Sequence, residues 1–146
     1  MENDNKEKLE LKIKKSAVLI VIIVNIIVGL CLNFNEILTG GPISSKNIIV
    51  SIGYLLVWIL SILLAKYFKS KNLLKIFLGF WIVNLFMYIL VMILLNFSFY
   101  PKIFIIFVII FIGPMHGIYI GNSIITISII DILISIFIYY IIKGEK

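Results

Sequence analysis

Long apolar runs separated by short polar segments dominate this chain. Four runs, rich in Ile, Leu, Val and Phe, each come close to the ~20 residues that an α-helix needs to cross a bilayer. They lie at 16–34, 47–65, 76–97 and 123–142. A polar, charged tail (1–15) precedes them, for which we expect a frayed structure, and a short tail (143–146) follows. The pattern predicts an all-α integral membrane protein, a polytopic bundle of four to five transmembrane helices in a single domain over 16–142.

The number of crossings depends on residues 103–142. This stretch contains one formal charge and is too long for one helix, since about 25 residues is the usual upper limit. In one arrangement, a short or broken helix over 103–120 turns at Gly121-Asn122-Ser123, and a fifth helix ends outside. In the other, 103–120 is re-entrant or lies along the outer face, and the chain ends in the cytoplasm. We favour five segments, the fourth short and broken.

Charge and composition set the orientation and the class of partner. The chain carries a net charge of +6, and 62 % of its residues are hydrophobic, too many for a small soluble domain to bury. Its basic residues are all lysines and flank the apolar runs, which favours contact with lipid headgroups over nucleic acid. The lysine-rich tail and the loop 66–75 therefore lie in the cytoplasm. The frequent Ile, Lys and Asn indicate an AT-rich, bacterial genome and hence a plasma membrane.

Asp131 is the polar residue that most constrains function. It lies in the middle of the last apolar run, where a charged carboxylate costs about 2.5–3.5 kcal/mol, so it should face the bundle interior. Ser128, Ser135 and Tyr139 are spaced to share its side of a helix. Asp131 either accepts a proton or cation, or is a neutral acid that joins two helices through a hydrogen bond.

Asn25 and Asn84 lie at a similar depth in the first and third runs. With Asp131 they form a candidate cluster at the membrane midplane, where some transporters bind ions or substrates. The alternative is hydrogen bonding between helices, worth roughly 0.6 kcal/mol per contact. Three single polar residues do not decide between the two.

His116 is the only histidine, in the segment Gly113-Pro114-Met115-His116-Gly117. Proline removes a backbone donor and kinks or ends a helix, so nearby carbonyls become available to bind a ligand. In a hairpin, His116 and Asp131 would differ in depth by about 6 Å, within reach of a proton relay through water. The alternative is a histidine at a kink, facing the outer interface. Gly113, Gly117 and Gly121 add a stripe for close packing, either internal or with a second copy.

No catalytic or metal-binding motif accompanies these residues. One histidine and one cysteine, Cys31, exclude a His-Glu-x-x-His site, a cysteine zinc site and an intramolecular disulfide. Tyr54 and Trp58, four residues apart near the middle of the second run, either line a cavity or, as we expect, fill the bundle core. We therefore expect no cofactor and a non-enzymatic accessory, immunity or regulatory membrane component that contacts itself or a larger membrane partner. The alternative is a small oligomeric transporter or channel subunit that uses Asp131.

Overall fold

All the secondary structure described for this chain is helical. The computed structural model describes residues 2–39, 41–96, 102–118 and 123–144, and within these ranges it contains no strand. The elements are α1 (Glu2–Thr39), α2 (Ser45–Tyr67), α3 (Lys71–Asn96), α4 (Lys102–Ile112), a 3-10 segment (Gly113–Ile118) and α5 (Ser123–Gly144). The predicted all-α fold is confirmed.

Four of these helices are long and apolar enough to cross a membrane, namely α1, α2, α3 and α5. In contrast, α4 has 11 residues and a length of about 16 Å, roughly half the hydrocarbon thickness. It passes into the 3-10 segment at Gly113, next to the proline that removes a helical donor. Residues 102–118, within the segment predicted at 103–120, therefore form a short helix followed by a 3-10 segment, and the four longer helices make the chain a multi-pass membrane protein.

The N-terminal tail is more ordered than the sequence predicted. Instead of fraying, residues from Glu2 onward continue α1 as one 38-residue helix. The tail is rich in Glu and Lys, which have high helix propensity. Glu10 and Lys14, four residues apart, form an ion pair of 2.6 Å on its exposed surface. Helix α1 is about 57 Å long, so it extends well beyond the hydrocarbon of any bilayer.

The core consists of two helix pairs joined by aromatic side chains. Helices α1 and α2 pack together with the 3-10 segment against both, while α3 packs on α5. Trp58 of α2 joins the pairs, because its ring lies 5.3 Å from Phe77 and 5.2 Å from Trp81 of α3. Tyr54 and Trp58 are both buried, which confirms that they fill the core.

A tight turn joins α2 to α3 at the lysine-rich end. The N–H of Ser70 donates to the carbonyl of Ala65, and that of Lys69 donates to Lys66, both at 2.9 Å. This pair of bonds is a Schellman motif, which requires a left-handed residue that is usually glycine. Here that residue is Lys69, with a φ of +46°. A lysine therefore occupies a strained position at the membrane surface.

Candidate functional site

The midplane polar residues Asn84 and Asp131 meet between α3 and α5. Both side chains are fully buried, and the Asn84 Nδ2 donates to the Asp131 Oδ1 at 3.4 Å. This distance is longer than the usual 2.7–3.2 Å, so the bond is weak. Asn84 follows Trp81 and precedes Tyr88 on the buried stripe of α3, which sets the direction of its amide.

The Asn84–Asp131 pair and the nearby Ser135 do not form all the hydrogen bonds that their polar atoms allow. Within the described ranges, the Asp131 Oδ2, the Asn84 Oδ1 and the Ser135 Oγ are buried and have no hydrogen-bond partner. A buried polar atom without a partner costs roughly 1–3 kcal/mol, so such atoms in a native protein call for water, a proton or an ion. Among the described residues, the α3–α5 interface thus contains buried carboxyl, amide and hydroxyl oxygen atoms without a partner, and Tyr54, Trp58 and Trp81 add further unpartnered polar atoms elsewhere in the core.

The predicted polar side of α5 is only partly internal. Its buried stripe contains Ile127, Asp131 and Ile138. Tyr139 is 53 % exposed, which contradicts the expectation that it shares the interior with Asp131. At 100° per residue it lies about 80° around the helix from Asp131, far enough to face outward.

Asn25 lies in α1 and does not join this pair. Its Nδ2 donates to the backbone carbonyl of Tyr54 in α2 at 3.1 Å, so its amide connects the first two helices. Tyr54 itself lies within electrostatic range of Asp131. The predicted cluster of three therefore separates into the Asn84–Asp131 pair and an α1–α2 contact.

A second polar network, missed by the sequence analysis, holds the 3-10 segment. Asn33 Nδ2 donates to the carbonyls of Gly113 at 3.1 Å and Pro114 at 3.3 Å. Ser51 Oγ donates to the Pro114 carbonyl at 3.0 Å and accepts from the Gly117 N–H at 2.9 Å. The amide of Asn47 donates to Asn33 Oδ1 at 3.0 Å. The carbonyls predicted to be available to a ligand are bound by neighbouring helices instead.

Two glycines allow this segment to approach α1 and α2 closely. A Cβ at Gly117 would overlap the backbone carbonyl of Asn47, and one at Gly113 would lie 2.9 Å from Leu30. The glycine spacing therefore serves internal packing, which resolves the choice that the sequence left open for these two positions. Gly121 lies outside the described residues.

The positions of two asparagines on either side of the α1–α2 turn are the feature of the sequence that could have indicated this network. Asn33 and Asn47 are equally distant from Gly40, which begins the sequence Gly40-Gly41-Pro42, a pattern typical of a turn. In an antiparallel pair of helices, residues at equal distance from the turn face each other. Both asparagines lie at the ends of predicted spans, 16–34 and 47–65, where an exposed asparagine is ordinary.

His116 is half-buried near the end of the 3-10 segment and interacts electrostatically with Glu36 of α1. The one hydrogen bond of Asp131 among the described residues comes from Asn84, so His116 does not bond to Asp131 directly, and the relay through water between them stays a prediction. The histidine belongs to the end of the bundle where α1 ends and α2 begins.

Neither metal-binding residues nor similarity to known proteins identifies a function for this chain. Among the residues that the structure describes, no three His, Cys, Asp or Glu side chains come together as metal ligands. No protein-family model, curated protein or solved structure matches this chain. The arguments for function therefore rest on its own residues.

Proposed function

We propose that this chain is a non-enzymatic component of a bacterial plasma membrane that acts through helix contacts with itself or a larger membrane protein. One observation carries this proposal: the side-chain amides of Asn25, Asn33 and Asn47 bond to groups on neighbouring elements of the chain itself. These polar groups stabilise a bundle rather than line a reaction site. An accessory subunit, an immunity protein and a regulator all fit this role.

The outward faces of the helices are apolar and provide the surface for such contacts. Each of α1, α2, α3 and α5 has an exposed apolar side chain at which contacts with a partner can be tested. These side chains are Ile20, Ile49, Phe86 and Leu133, each at least 60 % exposed. A protein partner would cover one or two of these positions, whereas lipid would cover all four alike.

Photo-cross-linking in native membranes tests this proposal. A photoreactive residue is placed at each of the four positions, with the buried Ile127 as a control that reports only internal contacts. We expect a protein adduct at one or two outward positions and none at the others. Lipid adducts alone at all four positions would overturn the proposal.

The proposed topology has four crossings, with both termini in the cytoplasm. The 3-10 segment lies against Asn47, where α2 begins, and only four residues separate Ile118 from Ser123. The five Cα–Cα steps from Ile118 to Ser123 span at most about 18 Å, so α5 starts in that half of the bundle. Its 22 residues, about 33 Å, then lead to the lysine-rich end. A reporter fused after Lys146 and active only in the cytoplasm should be active; an inactive fusion of a stable protein would refute this topology.

A second candidate function is proton or cation binding at Asp131, as part of a small oligomeric transporter or channel. The unpartnered Asp131 Oδ2, Asn84 Oδ1 and Ser135 Oγ favour it, because oxygen atoms of this kind bind protons and hard cations. Asp131→Asn and Asp131→Leu distinguish the two functions in vesicles of purified protein. If Asp131 binds a proton or cation, Asp131→Asn should fold but lose the proton or cation flux of the parent protein. If Asp131 has only a structural role, the parent protein should show no flux, and only Asp131→Leu should give a lower yield of folded protein.

A further inference from the structure

We propose that the lysine-rich end of the bundle binds one anionic phospholipid in a site with separate places for its headgroup and acyl chain. The headgroup basin is a cavity of about 700 Å³ between the start of α1 and the α2–α3 turn. The acyl groove is a smaller cleft of about 260 Å³ between α1 and α2. This proposal does not depend on the partner proposed above.

The headgroup basin combines basic side chains with aromatic rings. Its lining residues are Glu7, Glu10, Leu11, Lys14, Lys15, Tyr67, Phe68 and Lys69. Glu10 is already paired with Lys14 at 2.6 Å. Two further lysines, Lys15 and Lys69, then face one remaining carboxylate, Glu7, so the basin favours an anion. Tyr67 is 79 % exposed, as is common for aromatic residues at a membrane interface.

The acyl groove continues the basin toward the membrane interior, because Lys14 and Phe68 line both. Ala17, Val18 and Val21 of α1 form one wall, and Ser61 and Leu64 of α2 form the other. From Lys14 to Val21 the groove runs about 10 Å along the helix axis. An acyl chain has this direction and this apolar surface, whereas a free phosphate or nucleotide has no part that would occupy the groove.

The position of Lys69 supports a role for its charge. Lys69 adopts a left-handed φ of +46°, where glycine is normally preferred, and it lines the basin. Lysine therefore occupies a position where the backbone alone favours glycine. Glycine at this position keeps the turn and removes the charge, which provides a variant that separates binding from folding.

Native mass spectrometry of the detergent-purified full chain tests the proposal. The probes are dioleoyl phosphatidylglycerol, dioleoyl phosphatidylcholine and glycerol phosphate, which has the headgroup charge without acyl chains. We expect one phosphatidylglycerol retained in preference to phosphatidylcholine, and no retention of glycerol phosphate. Lys69→Gly should lower the affinity for phosphatidylglycerol about fivefold, the usual effect of one basic side chain near the membrane surface. Glu7→Gln should raise it.

Two matched controls complete the design. Lys75→Gln removes a lysine close to the same turn but outside the basin, and Val24→Trp enlarges an exposed α1 residue outside the groove. Both should leave lipid retention unchanged, whereas Val21→Trp should fill the groove and reduce it. If Lys75→Gln lowers retention as much as Lys69→Gly, the effect is general surface charge and the site is refuted. If glycerol phosphate binds as well as the lipid, the ligand is a free anion. If Val21→Trp does not fold, the two lysine variants decide the outcome.

Discussion

Gly117→Ala tests the tightest approach to a glycine among the described residues. The new Cβ would overlap the backbone carbonyl of Asn47, and no rotamer change can relieve a clash between a Cβ and backbone atoms. The 3-10 segment must therefore move away from α2 and lose the 2.9 Å bond from the Gly117 N–H to Ser51. The Ser51 bond to Pro114, at 3.0 Å, is strained by the same movement.

The expected loss of stability follows from these two effects. Overpacking a filled interior typically destabilises by about 1–3 kcal/mol, and hydrogen bonds between membrane helices contribute roughly 0.6 kcal/mol each. We therefore expect Gly117→Ala to lower the free energy of unfolding by about 2–4 kcal/mol. Gly53→Ala is the matched control, since no atom lies within 4 Å of its added Cβ. In a helix interior that change should stabilise by about 0.5–1 kcal/mol.

Tryptophan fluorescence provides the assay. The chain has two tryptophans, Trp58 and Trp81, and both are buried in the core. Thermal unfolding of each variant in one detergent, followed by this fluorescence, gives the order of stability. We expect the order Gly53→Ala, parent, Gly117→Ala. Equal stability of Gly117→Ala and the parent would refute the close approach of the 3-10 segment to α2.

Two further predictions concern the polar network and the turn. Asn33→Ala should destabilise the protein by about 1–3 kcal/mol, because it leaves the Gly113 and Pro114 carbonyls without their amide donor. Asn25→Ala removes a single hydrogen bond and should cost about 0.6 kcal/mol in the same thermal assay. Lys69→Gly should stabilise by about 0.5–1 kcal/mol, since glycine adopts a left-handed φ without strain. A lower melting temperature for Lys69→Gly would contradict the assigned turn.

The hydrophobic pattern was sufficient to predict the helices but not the side-chain contacts between them. Each apolar run became a helix because a chain in lipid must satisfy its backbone hydrogen bonds internally. The burial of Asp131 and Asn84 followed from the same rule, since polar side chains avoid lipid. Pairing between distant helices depends on rotation and register, which periodicity leaves open. For that reason Asn25 was placed near Asp131 but bonds to Tyr54.

The 3-10 segment was the part of the fold least accessible from sequence. Pro114 predicts an interrupted helix, but the carbonyls freed there are bound by neighbouring helices rather than available to a ligand. Their donors, Asn33 and Ser51, lie 81 and 63 residues away along the chain. Nothing local in the sequence indicates such a contact. Only the matching positions of Asn33 and Asn47 about the α1–α2 turn suggest that polar groups meet there.

The two polar sites differ in a way that a double-mutant cycle can measure. The network around the 3-10 segment links donors and acceptors on several elements, whereas the Asn84–Asp131 pair has one long bond and spare oxygen atoms. Leucine has the same branched heavy-atom skeleton as both residues of the pair, with two methyl groups in place of the polar atoms. Within this cycle, Asn84→Leu should be the more destabilising of the two single changes, at about 1–3 kcal/mol, because it leaves a buried carboxyl without a donor.

Replacing both residues by leucine removes both polar groups and should cost less than the sum of the single changes. Fluorescence melts of the parent, the two single variants and the double variant give the coupling free energy. If the pair only joins α3 to α5, the double variant folds and keeps its cross-links to a partner. If Asp131 binds a proton or cation, the double variant folds but loses flux, because apolar packing replaces the hydrogen bond but not the titrating group. If the losses of unfolding free energy in the two single variants add up to the loss in the double variant, the 3.4 Å contact contributes no coupling free energy and each residue has its own role.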